Sequence, residues 1–286
     1  LSASGYRPAE YCARDPRPRG AIDARRGGLF SPGEPGLFAP LVDSLLHGDP
    51  YFALADFAPY VVEIVRFVPD RATSQQLLDL LARKTDARGL GYDWSAWMRW
   101  QWSQPPPPAE YATFKAELHG QIDPRFESYF AADRLALIRL DEVVWGGVPQ
   151  DGIPPLREPA MVTARAAHYL ADSDVIFGVE INGDVRAYPK RILAWHEMFV
   201  DRIGGVDVAG VYCTLCGAVI VYETRVAGRL HRLGTSGFLY RSNKLMYDAD
   251  TQSLWNTLEG RPVVGPLAGA GISLPTREVV TTTWGE

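Results

Sequence analysis

The strongest constraint on the fold is the stretch VIFGVEI-NG-DVRAYP at residues 175–189. Two runs rich in β-branched and aromatic residues flank Asn182-Gly183. A type I′ turn needs positive φ at both central residues, and Asn-Gly adopts it at the least steric cost, so the stretch predicts a tight antiparallel hairpin. Strand texture continues around it. VDVAGVY leads into Cys213, AVIVYETRVAGRLHRLG reads as two strands around Ala227-Gly228, and LYRSNKLMYD reads as one more strand. RILAWHEMFVDRI reads as a short helix, after which Gly204-Gly205 turns the chain into the strand before Cys213. That strand and the hairpin are expected to share one sheet.

Upstream the period changes from two to that of a helix. LFAPLVDSLLHG spaces Leu37, Leu41, Val42, Leu45 and Leu46 as a helix. In the next run Pro50 suits a helix start, and Pro59 is expected to break or kink that helix. QQLLDLLARK gives an apolar helix face. Trp94, Trp97 and Trp100 form a drifting helical stripe closed by prolines 105–108, and EYATFKAELHGQID puts Tyr111, Phe114 and Leu118 on one face. The stripe reads as core packing, with a stacking platform as the alternative. No βαβα alternation occurs. The fold class is therefore α+β: a helical N-terminal region followed by a β-rich, mainly antiparallel C-terminal domain. The divisions are 1–62, 63–140 (helical) and 141–286 (β-rich, carrying the C-x-x-C motif).

Composition excludes several classes. With 29 basic against 34 acidic residues, a net charge of −5 and no Lys/Arg run, a nucleic-acid face is not expected. A hydrophobic share of 47% excludes disorder as the main state. No apolar run is long enough for a membrane span, and LSASGYRPAE lacks the basic and apolar regions of a signal peptide, so a soluble chain without either segment is expected. The compartment is open.

Three cysteines, Cys12, Cys213 and Cys216, are too few for a disulfide framework. Cys12 reads as structural or incidental. Cys213 and Cys216 form a C-x-x-C pair, whose sulfurs can close a small ring and so pass between dithiol and disulfide. The same pair could supply two thiolates to copper or zinc. It could also be two small residues at a strand end, in a non-catalytic binding or scaffold domain. His196, in Trp195-His196-Glu197, is the base that would raise the thiolate fraction of Cys213, or the third metal ligand. His168 and His231 are reserves. The run from Gly234 to Asp248 offers Tyr240, Arg241 and Asn243 as substrate-binding groups, or else a β-bulge and tight turn. G-x-S-x-G, H-E-x-x-H, EF-hand and G-x-G-x-x-G patterns are absent, so the hydrolase, zinc-protease, calcium and dinucleotide readings lack their signatures. The expected function is thiol-based redox or thiolate–metal chemistry, with Cys213 as nucleophile and Cys216 as resolving thiol. The partner is an unidentified small molecule or thiol.

Whole phrases of the chain carry two resemblances. G-x-FSPGEP-x-x-F and GDPY-x-x-x-ADF-x-x-YV, within residues 1–62, resemble the C-terminal region of alpha-glucan (glycogen) phosphorylases. The cofactor lysine of that family lies upstream of this piece, so the resemblance implies scaffold helices, and pyridoxal phosphate is not expected. A phosphorylase fragment or fusion without its catalytic part is the corresponding alternative function. From about residue 63 onward, IRLDEVVWGGVPQDGIPPL, the phrase around Trp195-His196-Glu197, YCTLCGAVIVYE and GTSGFLYRSNKLMYDADTQSLWNTLEG resemble domain-of-unknown-function family 3179, uncharacterised bacterial proteins that include selenoproteins. Selenocysteine in relatives implies redox use of the sulfur; Cys213, Cys216 and His196 match that family's motifs.

Overall fold

The computed structural model describes Ser4–Gly5 and residues 54–286, with side chains from residue 57 onward. The predicted helix at 37–46, Cys12 and nearly all of the phosphorylase-like phrase lie outside the described residues. Two compact units emerge: a helical one of residues 54–133 and 139–142, and a β-rich one of Ser4–Gly5, 134–138 and 143–286.

The helical unit contains helices Leu54–Ile64, Arg71–Lys84, Trp94–Ser103 and Tyr111–Gly120, with a last turn at Glu127–Phe130. Pro59 sits inside the first helix instead of ending it. The bond it forfeits is to the carbonyl of Ala55 in the opening turn, and the buried face of Ala58, Val61, Val62 and Ile64 offsets that loss. Asp70 caps the second helix, its carboxylate accepting the N–H of Ala72 and Thr73. The Trp stripe packs as core: Trp97 is fully buried and the Trp94 indole donates to the Val62 carbonyl at 2.8 Å. A charged cluster runs through this unit. Glu63 accepts Lys115 Nζ and pairs with His119 Nε2, both at 2.8 Å, and all three side chains are buried.

The β-rich unit holds three larger sheets. One five-stranded sheet orders as Arg261–Val264, Leu254–Asn256, Asn243–Asp248, Leu233–Tyr240 and Val143–Trp145. A second orders as Thr276–Arg277, Ala218–Glu223, Val206–Cys213, Met198–Ile203 and Leu156–Arg157, the last pair parallel and the others antiparallel. The predicted hairpin forms as Val175–Ile181 and Asp184–Pro189, with φ of 52° at Asn182 and 80° at Gly183.

Three expectations are corrected. The hairpin is not in the sheet of the Cys213 strand: it belongs to a three-stranded sheet with Val280–Thr283. The two sheets instead share a core in which Phe177, Val179 and Tyr188 meet Phe199, Val208 and Tyr212, and the rings of Tyr188 and Phe199 stack at 3.7 Å. Helix Lys190–His196 carries the chain from one sheet to the other. Next, RILAWHEMFVDRI is only half helix. Glu197 takes φ of 55° and ends it, and Met198–Ile203 is a strand paired to Val206–Cys213 through the Gly204-Gly205 turn. Finally, LYRSNKLMYD is a hairpin, because Arg241 and Ser242 both adopt positive φ (45° and 65°) and reverse the chain between Tyr240 and Asn243. The bulge reading for the Gly234–Asp248 run holds upstream of that turn, where the register shifts between Thr235 and Leu239.

Candidate functional site

Strands Val206–Cys213 and Ala218–Glu223 pair in register up to Cys213 opposite Ala218, and residues 214–217 close the hairpin. Gly217, at φ of 68°, donates its N–H to the Cys213 carbonyl at 2.9 Å. Glycine takes that conformation without a Cβ clash, and the tight turn curls Cys216 back over Cys213. The Cys216 N–H donates to Cys213 Sγ at 3.2 Å, and the two sulfurs lie 2.6 Å apart. Both thiols are free; Cys213 is half-buried and Cys216 exposed. The hydrogen bond shared with Cys213 pushes the Cys216 thiol above its ordinary pKa, so Cys216 holds its proton.

A second group abuts this turn. His196 is buried at the end of its helix, its Nδ1 2.8 Å from the Pro154 carbonyl. A carbonyl only accepts, so Nδ1 carries the hydrogen. That bond fixes the helix end from which Glu197 projects. The Glu197 carbonyl accepts the Tyr212 N–H at 2.9 Å, one residue before Cys213. Its carboxylate accepts the Thr214 hydroxyl at 3.0 Å through Oε1 and meets Lys244 Nζ at 2.5 Å through Oε2. Lys244 also donates to the carbonyls of Glu197 at 3.2 Å and Tyr212 at 3.5 Å. Burial lowers the Lys244 pKa, while the charges of Glu197 and Cys213 oppose that shift. A buried ammonium therefore stands beside the residue that precedes Cys213, in a network of residues from three separate sequence phrases.

The structure thus places Cys213 and Cys216 together and puts His196 next to Glu197, which contacts their loop. It does not assemble the expected metal set: among the described residues no group of three or more His, Cys, Asp or Glu side chains could hold a metal ion. The histidine is committed to Pro154 through Nδ1, and Glu197, whose carboxylate reaches Thr214 in the cysteine turn, is ion-paired to Lys244. Tyr240, Arg241 and Asn243 gather at the tip of their hairpin, with the Arg241 guanidinium 5.7 Å from the Tyr240 ring centre. Side chains alternate along a strand, so Asn243 and its partner Tyr240 face away from the side on which Lys244 reaches Glu197. His168 is exposed, and His231 is buried with Nδ1 2.9 Å from Asp248 Oδ2. Sequence reasoning missed Lys244, Glu197 and Thr214. The available signal was their position inside or beside the phrases that carry the cysteines and His196.

The architecture is that of an α+β protein with an exposed dithiol at a hairpin end. Residues 150–286 match the family described as "Protein of unknown function (DUF3179)", which covers the dithiol, His196, Glu197 and Lys244; residues 63–149 lie outside that match. Short matches to curated proteins also occur. The chain is 46% identical over 59 residues to a glycogen phosphorylase of Synechocystis, covering 21% of this chain and 7% of that protein. It is 41% identical over 61 residues to the muscle form of glycogen phosphorylase from Ovis aries, with the same coverage. A glycogen phosphorylase of Chlamydia pneumoniae is 40% identical over 57 residues, 20% of this chain and 7% of that one. The chain thus spans about 7% of the length of the curated relatives it matches. No solved structure matches. Among the described residues no helix is long and apolar enough to cross a membrane.

Proposed function

We propose that the Cys213–Gly217 hairpin end is a thiol–disulfide exchange site. The observation that carries this reading is the approach of two free sulfurs to 2.6 Å on an exposed turn. Cys213 is the attacking thiolate: it receives the Cys216 N–H and lies in the field of the Lys244 ammonium. It attacks one sulfur of a partner disulfide; that S–S bond breaks and the departing sulfur takes up a proton. Cys216, which has kept its proton until then, loses it and attacks Cys213 Sγ. The mixed disulfide breaks, the partner leaves as its second thiol, and a Cys213–Cys216 disulfide remains. Two electrons pass from this dithiol to the partner disulfide, and the reverse sequence oxidises a partner dithiol. In this reading Lys244 provides the charge expected of His196, and His196 positions the helix end that carries Glu197.

The test is equilibration of the full chain in glutathione buffers of graded potential, followed by mass spectrometry after acid quenching. The expected result is reversible loss of two thiols from the Cys213–Cys216 peptide, with a glutathione adduct accumulating on Cys213 in Cys216→Ser. Lys244→Met slows alkylation of Cys213 at neutral pH. If no disulfide forms at any potential, and Cys213→Ser changes stability alone, the cysteines are structural and the proposal is wrong.

A further inference from the structure

The exchange site carries apolar side chains that the electron transfer itself does not use. Leu215 stands between the two cysteines and is 76% exposed, and Trp195 is 80% exposed. They are the two most exposed large apolar side chains among the described residues. Both belong to segments that meet at the site. Trp195 lies two residues before Glu197, and the Glu197 carboxylate accepts the hydroxyl of Thr214, the residue before Leu215, at 3.0 Å. Single exposed apolar side chains are ordinary on a protein surface. Here both stand on the segments that frame one reactive turn, so a partner whose sulfur meets Cys213 meets Leu215 as well. Taking an indole and a leucine side chain out of water favours a partner that is apolar beside its own sulfur.

A second observation concerns the backbone beside the cysteines. Strand Ala218–Glu223 pairs with Val206–Cys213 along one edge, and on its other edge Thr276–Arg277 covers only Val221 and Tyr222. Glu223 donates its N–H toward that outer edge, to the Pro275 carbonyl at 2.8 Å, whereas Thr224 donates inward to the Asp207 carbonyl at 2.9 Å. Backbone groups alternate sides along a strand, so Val219 directs its N–H and C=O outward. Val219 is next to Ala218, the partner of Cys213, and no strand of the described residues pairs with it on that side. An open edge accepts an added strand through main-chain hydrogen bonds, which an extended polypeptide supplies. We propose, resting on the exchange reading, that the partner is a polypeptide disulfide: an extended segment whose cysteine has a large apolar residue next to it. Its main chain bonds Val219, its apolar side chain covers Leu215 and Trp195, and its sulfur meets Cys213. The Cys213–Cys216 dithiol loses two electrons, and the peptide disulfide gains them and leaves as two thiols.

The experiment mixes the reduced full chain with disulfide-linked dimers of two peptides, acetyl-Thr-Leu-Cys-Phe-Thr-amide and acetyl-Thr-Ser-Cys-Ser-Thr-amide. Oxidation of the Cys213–Cys216 pair is followed by acid quenching and mass spectrometry. Each rate is divided by the rate of the same dimer with dithiothreitol, which removes its intrinsic reactivity. The expected ratio favours the apolar peptide by about tenfold or more. Trp195→Ser and Leu215→Ser, at side chains too exposed to hold the fold, should each lower that ratio by about threefold or more. Leu137→Ser should leave it unchanged, since that leucine is 56% exposed beside Val263, on the outermost strand of the other five-stranded sheet. The apolar peptide N-methylated at every backbone amide should react more slowly by about threefold or more. Equal normalised rates for the two peptides, a ratio untouched by both serine variants at the turn, or full reactivity of the methylated peptide would each overturn this inference and leave the exchange site standing. No oxidation by either dimer or by glutathione disulfide would overturn the exchange site and this inference with it. Sedimentation of the chain with phosphatidylglycerol vesicles, abolished by Trp195→Ser, would assign the apolar side chains to a lipid surface and overturn the polypeptide partner.

Discussion

Breaking the Glu197–Lys244 pair from its two ends should have unequal consequences. The ammonium and carboxylate are 2.5 Å apart, with side-chain exposures of 9% for Lys244 and 17% for Glu197. In Glu197→Gln the ammonium loses its counter-charge and keeps two carbonyl acceptors at 3.2 and 3.5 Å. An uncompensated buried charge of this kind costs about 3–5 kcal/mol. In Lys244→Met the carboxylate keeps the Thr214 hydroxyl at 3.0 Å and greater access to water, and Met fills the apolar part of the lysine slot. That loss is closer to 1–2 kcal/mol. The double variant leaves no unpaired charge and should lie within about 1 kcal/mol of Lys244→Met, giving a coupling of about 2–6 kcal/mol. Because the chain has two units, a global midpoint is a poor probe. Hydrogen exchange of the paired amides between Met198–Ile203 and Val206–Cys213 reads the affected ladder directly. The reasoning fails if Glu197→Gln costs no more than Lys244→Met, or if the double variant costs the sum of the two singles.

Two further predictions concern the cores of the two units. Burial first, then the neighbouring Lys115 charge, pulls the His119 pKa from 6.5 to about 4, so between those values the unfolded chain binds the extra proton. The helical unit should therefore lose about 3 kcal/mol as pH falls through that window. Glu63, held low by Lys115 and His119 against its own burial, contributes in the same direction, and its share goes at still lower pH. An NMR titration placing the His119 midpoint at 6.5 or above would refute this. In the β-rich unit, a Cβ at Gly210 would stand 1.9 Å from the Phe199 ring, which is stacked at 3.7 Å on Tyr188 and cannot retreat. Gly210→Ala should destabilise by about 1–3 kcal/mol or more, read as faster exchange in the same ladder; an unchanged rate would mean that the two sheets slide more freely than their packing implies.

How much of the fold was legible depended on whether its signals were local. Asn182-Gly183 between two β-rich runs specified its hairpin, and the leucines of QQLLDLLARK specified their helix, because period and turn chemistry lie within the segment. The hairpin at Arg241-Ser242 was hidden because neither residue advertises positive φ. Non-glycine residues there cost of order 1 kcal/mol each, and long-range pairing of Leu233–Tyr240 with Asn243–Asp248 and Val143–Trp145 supplies the compensation. The assignment of the Asn182-Gly183 hairpin to its own sheet was equally invisible. Val280–Thr283, about a hundred residues later, completes that sheet.

The site shows the same division between near and far. The two sulfurs of C-x-x-C lie side by side because the spacing and Gly217 belong to one turn. His196 stood out in the sequence because a histidine next to a family motif is conspicuous, whereas Lys244 sits in a strand phrase with nothing to mark it as buried. Its burial depends on Glu197, 47 residues earlier, and on the Tyr212 carbonyl, 32 residues earlier. A lysine is tolerated at 8% exposure only with such partners, so the observation that marks it as special is the pairing itself. In the Trp195-His196-Glu197 phrase the last residue is therefore the one whose carboxylate reaches the cysteine turn. His196 fixes the helix end on Pro154, and the left-handed Glu197 turns its carboxylate toward Thr214 and Lys244.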